Sequence, residues 1–105
     1  MNADGIAHEL NTPLQFVGDN LRFTGRGVSE LGRWLRAVDD VLDAVRAGSL
    51  EPELLERLDV VRQEADVDYL LGELPVAIEQ ALQGVERAAA VVDAMKANAL
   101  REDMG

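Results

Sequence analysis

The feature that most constrains this chain is a hydrophobic period held over nearly its whole length. Leu10, Leu14, Val17, Leu21, Val28, Leu31, Leu35, Val38, Leu42 and Val45 step by alternating fours and threes, with Thr24 the one polar member of the series. A second series, Leu71, Leu74, Ile78, Ala81, Val85, Ala88, Val92, Met95 and Ala99, keeps the same alternation. Sustained 3–4 spacing marks helices that pack at the shallow left-handed angle of coiled coils and four-helix bundles. One clear break separates the two series, Gly48-Ser49-Leu50-Glu51-Pro52, where Gly can end a helix and Pro can open the next. The expected fold is therefore all-α: a first helix over about 4–47, a loop over about 48–52, and a second helix over about 53–100. A break or kink is expected near 65–75, from Asp66 as a cap and from Pro75 inside the apolar period. At 1.5 Å per residue each arm is roughly 65–70 Å long, so matched arms and a short loop predict a long antiparallel hairpin. A lone hairpin leaves Ile6, Phe16, Phe23, Trp34 and Val41 off the seam and in need of cover. The simplest cover is a second copy, giving a homodimeric four-helix bundle.

Composition narrows the function classes. With 105 residues the chain makes one domain at most, and aromatic residues at 4% mean that Leu, Val, Ala and Ile must mainly build the core. No cysteine is present, which excludes disulfides and thiolate metal sites. A formal charge of −10 repels phosphate backbones and anionic lipid headgroups, so neither nucleic acid nor a membrane surface is an expected partner. No apolar run approaches the ~20 residues of a membrane span, and Met1-Asn2-Ala3-Asp4-Gly5 lacks the regions of a signal peptide. The expected location is cytoplasmic, within a parent protein that can itself be membrane-anchored.

The segment that carries chemistry is Gly5-Ile6-Ala7-His8-Glu9-Leu10-Asn11-Thr12-Pro13-Leu14. With Ala7, Leu10, Leu14 and Val17 on the seam, His8 falls one position outside it and projects to solvent, with Thr12 and Gln15 along the same face. Histidine is the side chain that can act as a neutral nucleophile near physiological pH. Pro13 has no N–H, so the carbonyl of Glu9 loses its helical partner and the helix is loosened one turn from His8. A local rule broken beside an exposed reactive group is where function is expected. The Glu9 carboxylate can reach the flank of the imidazole and take the Nδ1 proton as Nε2 attacks an electrophile. A zinc reading fails, because a metalloprotease helix needs a second His where Thr12 stands and no other His or Cys exists.

The run His8-Glu9-Leu10-Asn11-Thr12-Pro13-Leu14 resembles the H-box of sensor histidine kinases, in the variant with Asn where many members have Arg. Gln15-Phe16-Val17-Gly18-Asp19-Asn20-Leu21-Arg22-Phe23 is similar to a subgroup with a lengthened hairpin, and Gly84-Val85-Glu86-Arg87-Ala88 through Val92-Asp93-Ala94-Met95-Lys96 resembles their second helix. The resemblance implies the dimerisation and histidine-phosphotransfer domain of a two-component kinase. His8 is then the phospho-acceptor and Glu9 the general base; Pro13 bends the helix, and Asn11 lies within the motif. The acidic-x-x-Thr run Glu9-Leu10-Asn11-Thr12 implies Thr12 as a water-positioning residue for hydrolysis of a receiver's phospho-aspartate. The implied partners are a second copy, the kinase's own ATP-binding domain, and the receiver domain of a response regulator. No cofactor is expected in this chain; ATP and Mg belong to the catalytic domain. No Gly-rich nucleotide lid or Asn-containing ATP box follows residue 100, so the chain reads as an excised piece of a protein-histidine kinase, inactive with ATP alone. Ala97-Asn98-Ala99-Leu100 also departs from the Phe-Ser-type ending of the subgroup. Phe16 and Phe23, seven apart, either form part of a receiver-docking surface or pack against the second helix or the dimer mate. Two other readings stand beside this one: a histidine phospho-relay module, and a dimeric coiled-coil linker with no chemistry. Segment 53–66 carries no expected chemistry, its acidic positions being a solvated face.

Overall fold

In a computed structural model the described residues are 3–104, with side chains described for 5–102. Met1 and Asn2, which begin the opening segment read above, and Gly105 lie outside them. Every element is helical: α1 spans Ala3–Arg46, α2 Pro52–Ala65 and α3 Val67–Met104. None of these helices is long and apolar enough to cross a membrane among the described residues.

The helix ends follow from local chemistry. Gly48, at φ +69°, takes the left-handed conformation that L side chains avoid. Around it Gly48 N–H donates to the Val45 carbonyl at 3.1 Å and Ser49 N–H to the Ala44 carbonyl at 2.9 Å, the pair of bonds of a Schellman cap. Pro52 then opens α2 from an extended Glu51, where its missing N–H costs nothing. The expected interruption of the second arm is one residue wide. Asp66 sits at φ 54°, ψ 54° with its N–H on the Arg62 and Gln63 carbonyls, and its own carbonyl accepts the first bond of α3 from Leu70 at 3.0 Å. No restart occurs at Pro75, which α3 carries in its interior.

The chain divides into two compact units. One, here the histidine unit, comprises Met1–Arg22 and Val76–Gly105; the other, the loop unit, comprises Phe23–Pro75. In the histidine unit, α1 and α3 run antiparallel, and the buried positions are small: Pro13 from α1, and Ala77, Ala81 and Gly84 from α3. Leu10, Val17, Ala88, Val91 and Met95 are half-buried around them. In the loop unit, α1 contributes Gly27, Ala37 and Ala44, α2 contributes Val61 and Ala65, and α3 contributes Val67, Leu70 and Leu74. Leu70 and Leu74 fill the space over Gly27, where an added Cβ would lie 2.7 Å from Leu74 Cδ2 and 3.1 Å from Leu70 Cδ2.

The seam expected from the period is split by the structure. Leu10, Val17, Leu31 and Val38 are half-buried, but Leu14, Leu21, Val28, Leu35 and Leu42 are about half exposed or more. On α3, Leu74 and Ala81 are buried while Leu71, Ile78 and Val85 are exposed. Conversely Ile6, Phe23, Trp34 and Val41, expected to need a second copy, are half-buried within the chain itself. A 3–4 stripe has two edges about 60° apart, and only one edge of this stripe turns toward the chain's own helices. The other edge, one residue in seven, stays open.

Candidate functional site

The four polar side chains of the motif stand together on two turns of α1. His8, Glu9, Asn11 and Thr12 are all exposed, with Leu10 half-buried between them and Pro13 buried immediately after. One hydrogen bond ties the group: Thr12 Oγ1 donates to the His8 carbonyl at 3.1 Å, across one helical turn. That bond fixes the threonine rotamer and spends its single donor. Its oxygen keeps two lone pairs, which can accept from a water. Gln15 is exposed one turn below.

Pro13 shapes this turn from beneath. Having no N–H, it leaves the Glu9 carbonyl without its usual helical donor. Its ring is buried, and α3 approaches it at Gly84: a Cβ built there would lie 3.1 Å from the Pro13 carbonyl oxygen, 2.6 Å from Val17 Cγ2 and 3.4 Å from Phe16 Cδ1. At Gly84, therefore, α3 packs closely on the segment below His8. Sequence reasoning placed Gly84 only inside a helix-two resemblance. The signal available was a glycine in the middle of an otherwise strong helix, which costs about 1 kcal/mol relative to alanine and calls for a packing reason.

Further down this face, Arg22 pairs with Asp19 at 2.6 Å and folds over Gly18, and Asn20 Nδ2 donates to the Phe16 carbonyl at 2.8 Å. The two phenylalanines belong to different units. Phe16 is exposed but leans toward Gly84, and Phe23 is half-buried, edge-on to Tyr69 with ring centroids 6.4 Å apart. Phe23 thus packs against α3, while Phe16 keeps an exposed face.

The loop unit holds no histidine. Its polar groups brace helices: Arg33 pairs with Glu64 and Glu30, and Arg62 pairs with Asp68 at 2.7 Å while lying 6.0 Å over the Trp34 ring. The hydrogen bond to Glu64, and then the Glu64 charge, raise the pKa of Arg33 above its ordinary value. Among the described residues no three His, Cys, Asp or Glu side chains gather into a group able to hold a metal ion. Compared with known proteins, the chain matches no family model, no curated protein and no solved structure.

Proposed function

We propose that this chain is the dimerisation and phospho-accepting domain of a sensor histidine kinase, with His8 as the residue that carries phosphate. The observation that supports the reading is the exposure of His8, Glu9, Asn11 and Thr12 over a buried proline, in the order of the H-box. His8 Nε2 attacks the γ-phosphorus of ATP presented by a separate catalytic domain. The N–P bond forms, the bond to the ADP oxygen breaks, and the Nδ1 proton passes to Glu9. The phosphoramidate is then attacked by an aspartate of a receiver domain, which returns the imidazole to its free form. Thr12, with its hydroxyl oxygen still able to accept, orients a water for the reverse duty of clearing a phospho-aspartate.

Two copies form a four-helix bundle. The open edge of the apolar stripe supports this: Leu14, Leu21, Ile78, Leu82 and Val85 in the histidine unit, and Val28, Leu35, Leu42 and Leu71 in the loop unit, are exposed.

The test is incubation with the matching ATP-binding domain and γ-labelled Mg-ATP. Acid-labile, base-stable phosphate is expected on this chain and none on His8→Gln. Label that persists in the variant would overturn the assignment.

A further inference from the structure

We propose that Gly84 is a positioning residue for His8, acting through its close approach to Val17 on the segment that carries Pro13; the inference rests on the phospho-acceptor reading above. The turn from Glu9 to Pro13 lacks one of its backbone hydrogen bonds, so the ladder alone does not fix its geometry. Packing fixes it instead. Pro13 is buried, and α3 rests on it where Gly84 has no side chain, within reach of the Pro13 carbonyl oxygen, Val17 Cγ2 and Phe16 Cδ1. The Pro13 oxygen is backbone and Val17 is β-branched, so neither can swing aside as a flexible chain end does. Any side chain at position 84 therefore pushes on the segment that begins one turn after His8. His8 itself is exposed, and Gly84 is not among the groups that would meet a nucleotide; its effect is on where the imidazole is aimed. In-line attack on a phosphoryl group is sensitive to displacement at the ångström scale, which can cost up to about 100-fold in rate.

The experiment compares Gly84→Ala, Gly84→Ala with Val17→Ala, and Gly72→Ala as a control where an added Cβ meets nothing within 4 Å. Two readouts are taken: the rate of phosphate transfer to His8 from the ATP-binding domain, and amide hydrogen exchange over residues 9–14. Gly84→Ala is expected to slow transfer about 10- to 100-fold at an unchanged KM for the catalytic domain, and to speed exchange over that turn. Val17→Ala removes the 2.6 Å contact and is expected to restore both to near the parent values. Gly72→Ala is expected to change neither. Transfer and exchange at parent values in Gly84→Ala overturn the proposal, as does a double variant that stays slow. If Gly84→Ala does not fold, the double variant decides alone: parent-like exchange over 9–14 supports the contact, and accelerated exchange overturns it. Should the parent chain accept no phosphate, the phospho-acceptor reading falls, and the exchange data together with the His8 ring signals by NMR still decide whether Gly84 sets the turn.

Discussion

The two units close their helices by different means. The histidine unit brings α1 and α3 together over residues with little or no side chain, Pro13, Ala77, Ala81 and Gly84, and the ion pair described there, Asp19–Arg22, is local to one helix. The loop unit is cross-braced by side chains: Arg33–Glu64 joins α1 to α2, Arg62 joins α2 to α3 through Asp68 and lies over Trp34 of α1, and Phe23 meets Tyr69. Backbone-to-backbone approach is stiff and intolerant of volume, whereas side-chain bracing spreads load over groups that can readjust. The exposed His8 sits in the unit closed over small residues.

The open apolar edge runs through residues of both units, and a charge on it separates their contributions. Leu21→Glu in the histidine unit and Leu35→Glu in the loop unit each place a carboxylate on the proposed dimer face. Each is expected to weaken dimerisation by about 2–3 kcal/mol, some 30- to 150-fold in dissociation constant, read as molar mass by light scattering across a dilution series. A monomer from one substitution and an undisturbed dimer from the other would confine the interface to a single unit. Mass unchanged in both would remove the stripe as an interface.

The contrast between stiff and compliant packing is sharpest at two glycines. Gly84 faces a backbone oxygen and a β-branched side chain, while Gly27 faces Leu70 Cδ2 and the Cδ2 and Cγ of Leu74, parts of unbranched-at-Cβ side chains. Gly84→Ala is expected to lower unfolding free energy by about 2 kcal/mol. Gly27→Ala is expected to cost less than about 1 kcal/mol, because leucine ends can rotate away and alanine gains helix propensity. Chemical denaturation of both variants checks this; equal losses would erase the distinction between the units.

That pair of glycines also explains why the sequence revealed the fold class but only half of the face that α1 buries. The face along which α1 meets its own chain includes Ile6, Pro13, Asn20, Gly27, Trp34 and Val41, one residue every seven. Three of the six are Pro, Asn and Gly, which no hydrophobic period counts, although α3 packs closely at Pro13 and Gly27. The leucines that do register, Leu14, Leu21, Leu35 and Leu42, lie on the edge left open. Helix ends were legible because Gly48 and Pro52 act through local backbone preference alone. The exposed face of His8 was legible because a single offset from the apolar stripe decides it. Gly84 was not, since its role is set by residues about 70 positions away in the chain.

Within the loop unit, Arg62 is the most connected brace. Arg62→Met keeps the aliphatic stem and removes the charge, so it isolates the ion pair with Asp68 and the contact with Trp34. Both groups of the pair are about half exposed or more, which keeps the pair's worth below about 1 kcal/mol; with the ring contact a total loss near 1 kcal/mol is expected in thermal unfolding. The loss should shrink at high salt. A loss independent of salt would assign the brace to packing of the stem instead.

The smallest effect tests the junction. Gly48 and Asp66 both hold positive φ in the loop unit, at 69° and 54°, but only one of them is glycine. Left-handed backbone costs an ordinary L residue roughly 1–2 kcal/mol, and somewhat less for aspartate, whose short polar side chain tolerates it. Gly48→Ala should therefore destabilise by about 1 kcal/mol. Asp66→Gly should stabilise by roughly half a kcal/mol, relief of strain outweighing the extra freedom of glycine in the unfolded chain. Opposite signs in the two midpoints of denaturation are the expected result. A loss from Asp66→Gly would mean that the carboxylate at this bend contributes something beyond conformation, and the junction between α2 and α3 would then be held by its chemistry rather than by its dihedral angles.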